Sequence, residues 1–256
     1  MPAPKTGNNR TARRWLAAIL AVTGLVAVVT TIYMDLKGEA DSALIPSYTR
    51  HGQTVVLIDR TTPLTPYQRS RLRKAAQEVR QTVASACLLS VYPIEPESDL
   101  RCVPFFQATV PGPWFRSNPE SSMRERKAKR FFAQRYSKAL EHAFASGINT
   151  KLPSPIIETI NAVAFRTGLA HGKGQRRVVI FSDMIQDSPA NSHNGCAEDF
   201  QSDPISQSLT RLDGVLVDIY YVPCHKHHAV QTRQHMEFWR AEFARAGALP
   251  RIIPVE

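Results

Sequence analysis

The segment Thr54–Asp59 reads TVVLID, a β-branched, apolar run with no polar alternation before its final aspartate. A short run of this kind is a strand covered on both faces. That constrains the chain strongly, because a doubly covered strand needs helices above and below its sheet. Thr65-Pro66-Tyr67-Gln68 follows closely. It is a capping box with proline at the first helical position. Behind it, Leu72, Ala75, Ala76, Val79, Val83 and Ala86 recur at helical spacing. Further strands are predicted at Cys87–Tyr92, Val103–Val110, Arg177–Met184, Val215–Val222 and Arg251–Val255. A long helix is predicted from Asn118-Pro119 to about Ser146, with Ala128, Phe132, Tyr136, Leu140, Ala143 and Phe144 inward. Two more helices follow, one capped by Ser154-Pro155 and one at Gln231–Ala246. The alternation predicts an α/β fold, a doubly wound and mostly parallel sheet of Rossmann-like type. The hydrophobic fraction, 43%, suffices for such a core and excludes a disordered chain.

The net charge of +10 would suit a nucleic-acid binder if it were spread over one surface. It is not spread. Lys5, Arg10, Arg13 and Arg14 precede any acid, and a second cluster spans 116–138, with Arg116, Arg124, Arg126, Lys127, Lys129, Arg130, Arg135 and Lys138 against Glu120 and Glu125. These two clusters account for the whole excess. The first borders an uncharged run, Trp15–Met34, with aromatic residues at both ends. About 20 such residues span a bilayer core, and flanking arginines orient the N-terminus inward. The sequence therefore predicts a cytoplasmic basic tail over 1–14 and a transmembrane helix over 15–34. A linker follows over 35–53, and an exported α/β domain over 54–256 carries a basic helical insertion at about 116–147. A cleaved signal peptide, with Gly38-Glu39-Ala40 at the cleavage site, is the alternative. Either way the main domain is periplasmic or extracellular. In that compartment the four cysteines, Cys87, Cys102, Cys196 and Cys224, are disulfide candidates. His193-x-x-Cys196 and Cys224-x-x-His227 offer a zinc alternative.

Chemistry in a parallel sheet gathers at the carboxyl ends of its strands. One predicted strand ends in Asp59-Arg60-Thr61-Thr62-Pro63, and another in Ser182-Asp183-Met184. Ser154 stands at a helix entrance between them. Taken singly, each has an ordinary structural role: Ser154 as a helix N-cap, the aspartates as loop-ordering groups. Together, Asp59, Thr61, Ser154 and Asp183 form an oxygen-only set suited to Mg²⁺ or Mn²⁺. This pattern resembles the von Willebrand factor A-type domain, whose metal-ion-dependent adhesion site uses Asp-x-Ser-x-Ser with a distant Thr and Asp. The resemblance covers about residues 54–256. It implies that Asp59 and Thr61 fill the first positions, Ser154 stands for the Thr, and Asp183 for the last Asp. The third position of the first motif falls on Pro63, which has no side-chain donor. The resemblance further implies a protein-interaction module in which a partner carboxylate completes the metal shell.

A second resemblance is to haloacid-dehalogenase-type phosphotransferases. In that reading Asp59 is the nucleophile, Asp183 and Asp187 hold Mg²⁺, and Lys151 assists. The second acid of that motif is replaced by Thr61. The cations Arg124, Arg126, Lys127, Lys129 and Arg130 form a separate docking surface for an acidic partner. In an exported domain a protein or a membrane surface fits them better than nucleic acid. No small-molecule substrate is indicated.

Overall fold

The computed structural model describes residues 52–61, 63–96, 103–112, 119–145, 153–171, 174–189 and 209–255. Ten regular elements alternate in the order β1 (Gly52–Asp59), α1 (Pro66–Thr82), β2 (Leu88–Ile94), β3 (Phe106–Thr109), α2 (Pro119–Ala145), α3 (Ile156–Thr167), β4 (Gln175–Ser182), β5 (Leu216–Tyr221), α4 (Arg233–Arg245) and β6 (Leu249–Pro254). The strands form one six-stranded sheet in the order β3-β2-β1-β4-β5-β6. All neighbours are parallel except β2 and β3. This is the strand order of a doubly wound sheet, and its reversal point lies between β1 and β4. The predicted α/β class and mostly parallel sheet are thus present.

The transmembrane part of the predicted fold class is corrected. Among the described residues, no helix is long and apolar enough to cross a membrane. The run Trp15–Met34, on which that expectation rested, lies outside the described residues, as do Thr62, Lys151, Cys102, His193 and Cys196.

β1 is buried along its whole length. It begins at Gly52, so the strand takes in the last two residues of the predicted 35–53 linker. Its side chains divide by parity, as a pleat requires. Val55 and Leu57 join Val178, Ile180, Val217 and Ile219 on one face, under Ile156, Ile160 and Val163 of α3 and Trp239 and Phe243 of α4. Val56 and Ile58 join Val179 and Phe181 on the other, under Leu72, Ala76 and Val79 of α1 and Phe132, Tyr136, Leu140 and Phe144 of α2. The buried Tyr136 hydroxyl donates to the Ala76 carbonyl at 2.9 Å and ties α2 to α1. The C-terminal half of α2 is therefore a layer of the core, while its N-terminal half carries the exposed cations.

The helix boundaries follow local chemistry. Thr65 caps α1 through a reciprocal box with Gln68, as its sequence predicts. α3 ends at Gly168, whose left-handed φ of 62° suits glycine. Asp218 of β5 sits between two arginines on neighbouring strands. Arg177 Nε and Arg251 Nε each donate to it at 2.7 Å. This cross-strand pairing fixes the β4-β5-β6 side of the sheet.

Gly52 pairs with Gln175 of β4, and a Cβ there would collide with the Gln175 backbone. Gly52→Ala must push the two central strands apart. It is expected to lower unfolding free energy by about 1–3 kcal/mol. Urea unfolding would read this as a lower midpoint at constant slope.

Candidate functional site at the carboxyl edge of the sheet

Asp59 closes β1 and is 4% exposed. A buried carboxylate needs donors for both oxygens. Thr61 donates its backbone N–H at 2.8 Å and its hydroxyl at 2.7 Å to Asp59 Oδ1. Ser154 and Ser182 donate their hydroxyls to Asp59 Oδ2 at 3.1 and 2.6 Å. These groups come from the loop after β1, the entrance to α3 and the end of β4. The predicted residues Asp59, Thr61 and Ser154 are therefore brought together.

Ser154 is not the N-cap of α3. That position belongs to Pro155, which makes no side-chain cap. The orphan N–H of Ile157 is taken instead by Gln186 Oε1 at 2.9 Å, leaving the Ser154 hydroxyl to donate to Asp59. The role of Ser182 was missed from sequence. Its signal is register: Ile58 pairs with Phe181, so Ser182 falls beside Asp59 on the same side of the pleat.

Asp183 lies one residue past Ser182, just beyond the end of β4. Its Oδ1 accepts the Ile185 N–H at 3.0 Å. Its carboxylate is gathered with Cys224 and His227, and the ligand atoms of these three residues all lie within 4.8 Å of one another. The sequence placed Asp59 and Asp183 on one edge, as observed, but in one set of ligands. Asp59 is bonded to Thr61, Ser154 and Ser182, and Asp183 lies with Cys224 and His227. Pro63 contributes no side-chain donor, and the Ser182 hydroxyl supplies a further oxygen on Asp59.

The Asp183 cluster is held by Gln231. Its side-chain NH₂ donates to the Asp183 carbonyl at 3.0 Å and to the Val222 carbonyl at 2.8 Å, and its Oε1 accepts the Cys224 N–H at 2.6 Å. One amide thus links the ends of β4 and β5. The His227 N–H donates to the Cys224 carbonyl at 2.9 Å, which closes a 3₁₀ turn over His225–His227. Burial pushes the Cys224 thiol pKa up, and nearby Asp183 pushes the same way. Burial and then Lys226 push the His227 imidazole pKa down, against Asp187.

Both described cysteines, Cys87 and Cys224, are free buried thiols. No disulfide is found among the described residues, so the expected bridges receive no support. Burial pushes the Cys87 thiol up as well.

Just past Asp183 the backbone is strained. Met184 is fully buried at φ 60°, a region a non-glycine side chain occupies at a cost. Hydrogen bonds hold it there. Met184 N–H donates to Ser182 Oγ at 2.8 Å, and the Trp239 indole donates to the Met184 carbonyl at 2.9 Å. The same indole N–H faces His235 Nε2 at 3.2 Å. Indole only donates, so Nε2 is the acceptor, and a neutral ring carries its proton on Nδ1. Nδ1 then donates to the Tyr221 hydroxyl at 2.7 Å. Burial, then Asp183, raises the Tyr221 pKa, so it stays a neutral phenol.

No model of a known protein family matches the chain, and no curated protein is significantly similar to it. The fold and the edge geometry therefore carry the functional argument.

Ser182 both donates to Asp59 and accepts from Met184. Ser182→Ala removes both bonds and is expected to destabilise the domain by about 1.5–3 kcal/mol, as for a lost bond to a charged group. Thermal unfolding of the variant checks this. A Tm equal to the parent's would mean that neither bond contributes.

Proposed function

We propose that this chain is a protein-interaction module of the von Willebrand factor A type, with its docking edge at the carboxyl ends of β1 and β4. One observation carries the reading. Hydroxyls from three separated segments converge on Asp59 at the reversal point of the sheet. The donor set is all oxygen, which fits a hard divalent cation such as Mg²⁺ or Mn²⁺ in kind. Asp59, Thr61, Ser154 and Ser182 would hold it. Bound there, the cation would supply a positive point for a carboxylate of the partner protein.

The phosphohydrolase alternative has less support, because Thr61 stands where that motif carries its second acid and no general acid is supplied there.

Mg²⁺ or Mn²⁺ is expected to raise the Tm. A hundredfold excess over Kd corresponds to about 2.7 kcal/mol of added stability. Ser154→Ala should weaken that gain and Asp59→Ala should abolish it. A flat Tm for the parent protein across millimolar Mg²⁺ and Mn²⁺ sinks the metal part of the reading. A phosphorylated Asp59 trapped with a phosphate ester would replace the module with an enzyme.

A second docking reading has its own support on α2. Arg124, Arg126, Lys127, Lys129 and Arg130 are all exposed there, beside exposed Met123 and Phe131. Such a surface suits an acidic protein segment with apolar anchors. Retention on immobilised polyglutamate should fall steeply with salt. Reversing Lys127 and Arg130 to glutamate should remove most of it, and unchanged retention excludes this face.

A further inference from the structure

The Asp183 cluster has a composition that the oxygen-only site does not. It combines a carboxylate, a thiol and an imidazole from the end of β4 and the segment after β5. Cys224 and Asp183 are buried, and His227 is half-buried. Mixed O, S and N donors select borderline-soft metals over Mg²⁺. We propose that Asp183, Cys224 and His227 form a zinc site, distinct from the oxygen set on Asp59, with one coordination position left open.

Three features support this assignment. The first is distance. Zinc binds such ligands tetrahedrally at roughly 2.0–2.3 Å, which sets donor atoms about 3.3–3.8 Å apart. The ligand atoms here lie within 4.8 Å of one another, and a contraction of at most about 1.5 Å closes them on one ion.

The second feature is the supporting shell. Metal ligands require fixed backbones behind them. Gln231 grips the main chain at both Asp183 and Cys224. The Cys224–His227 turn is closed by its own hydrogen bond, so the two ligands share one rigid segment.

The third feature is the donor set itself. On binding, the thiol gives up its proton to solvent, the sulfur bonds the metal, and the imidazole binds as the neutral base. One ion is bound and one proton is released. Three protein ligands are fewer than the four of closed structural zinc sites, which leaves room for water or an exchangeable donor.

The proposal stands independently of the Asp59 reading, since neither set shares a side chain with the other. The test uses the full chain, reduced and stripped of metal, titrated with Co²⁺ as a spectroscopic substitute for zinc. We expect a thiolate-to-cobalt charge-transfer band that saturates at one equivalent and is displaced by Zn²⁺. Cys224→Ser should abolish the band, and Cys87→Ser should retain it. Gln231→Ala should weaken Co²⁺ binding by about 10–100-fold, the range for a lost supporting partner. A missing band, or one that survives Cys224→Ser, overturns the site. A measurement on the parent protein covers a variant that fails to fold. Zn²⁺ should slow alkylation of Cys224 and leave that of Cys87 unchanged, read residue by residue by mass spectrometry. Equal Cys224 rates with and without Zn²⁺ also overturn it.

Discussion

Every residue of β1 is buried, so each of its peptide groups must find a partner inside the protein. Pairing on both sides, with β2 and with β4, meets that demand and makes β1 a central strand. Once β1 is central and parallel to both neighbours, each chain reversal must cross over the sheet, and helices must cover both faces. The two core layers follow from this. Leu57 and Ile58, adjacent in sequence, belong to opposite layers because the pleat sends them apart. Gly52 lets β4 approach closely enough for the central pairing to begin at its first residue.

The polar edge follows from the same burial. Asp59 ends a strand buried along its whole length, where an unpartnered carboxylate would be strongly penalised. Its oxygens therefore draw donors from the adjacent loop, from α3 and from β4. This holds the reversal point of the sheet open to polar chemistry while the interior stays apolar. On the β5 side, Gln231 does for the main chain what Ser154 and Ser182 do for Asp59. It satisfies buried groups and in doing so aligns Asp183 with Cys224. The strained Met184 follows Asp183, held by bonds from both strand and helix.

Much of this was legible in the sequence. The β-branched run before Asp59, the capping box at Thr65 and the apolar stripe of α2 are local signals, and each element formed where its signal lies. Asp59, Thr61 and Ser154 were also legible as one set, because strand ends and helix entrances share an edge in a parallel sheet. Ser154 as an N-cap was a sound local reading that a non-local bond displaced. Gln186, distant in sequence, caps the helix in its place. The alternation of strands and helices says nothing about pairing register, so it does not distinguish Ser182 from Asp183 as the neighbour of Asp59.

The sequence by itself determined the elements, their order and the parallel sheet, because these rest on patterns read within a few residues. The direction in which each strand-end side chain faces was decided only by tertiary structure. A shift of one residue between β1 and β4 would exchange Ser182 for Asp183 beside Asp59. That register depends on backbone bonds between segments more than a hundred residues apart. It places Ser182 on Asp59, while Asp183, just past the strand end, lies with Cys224 and His227.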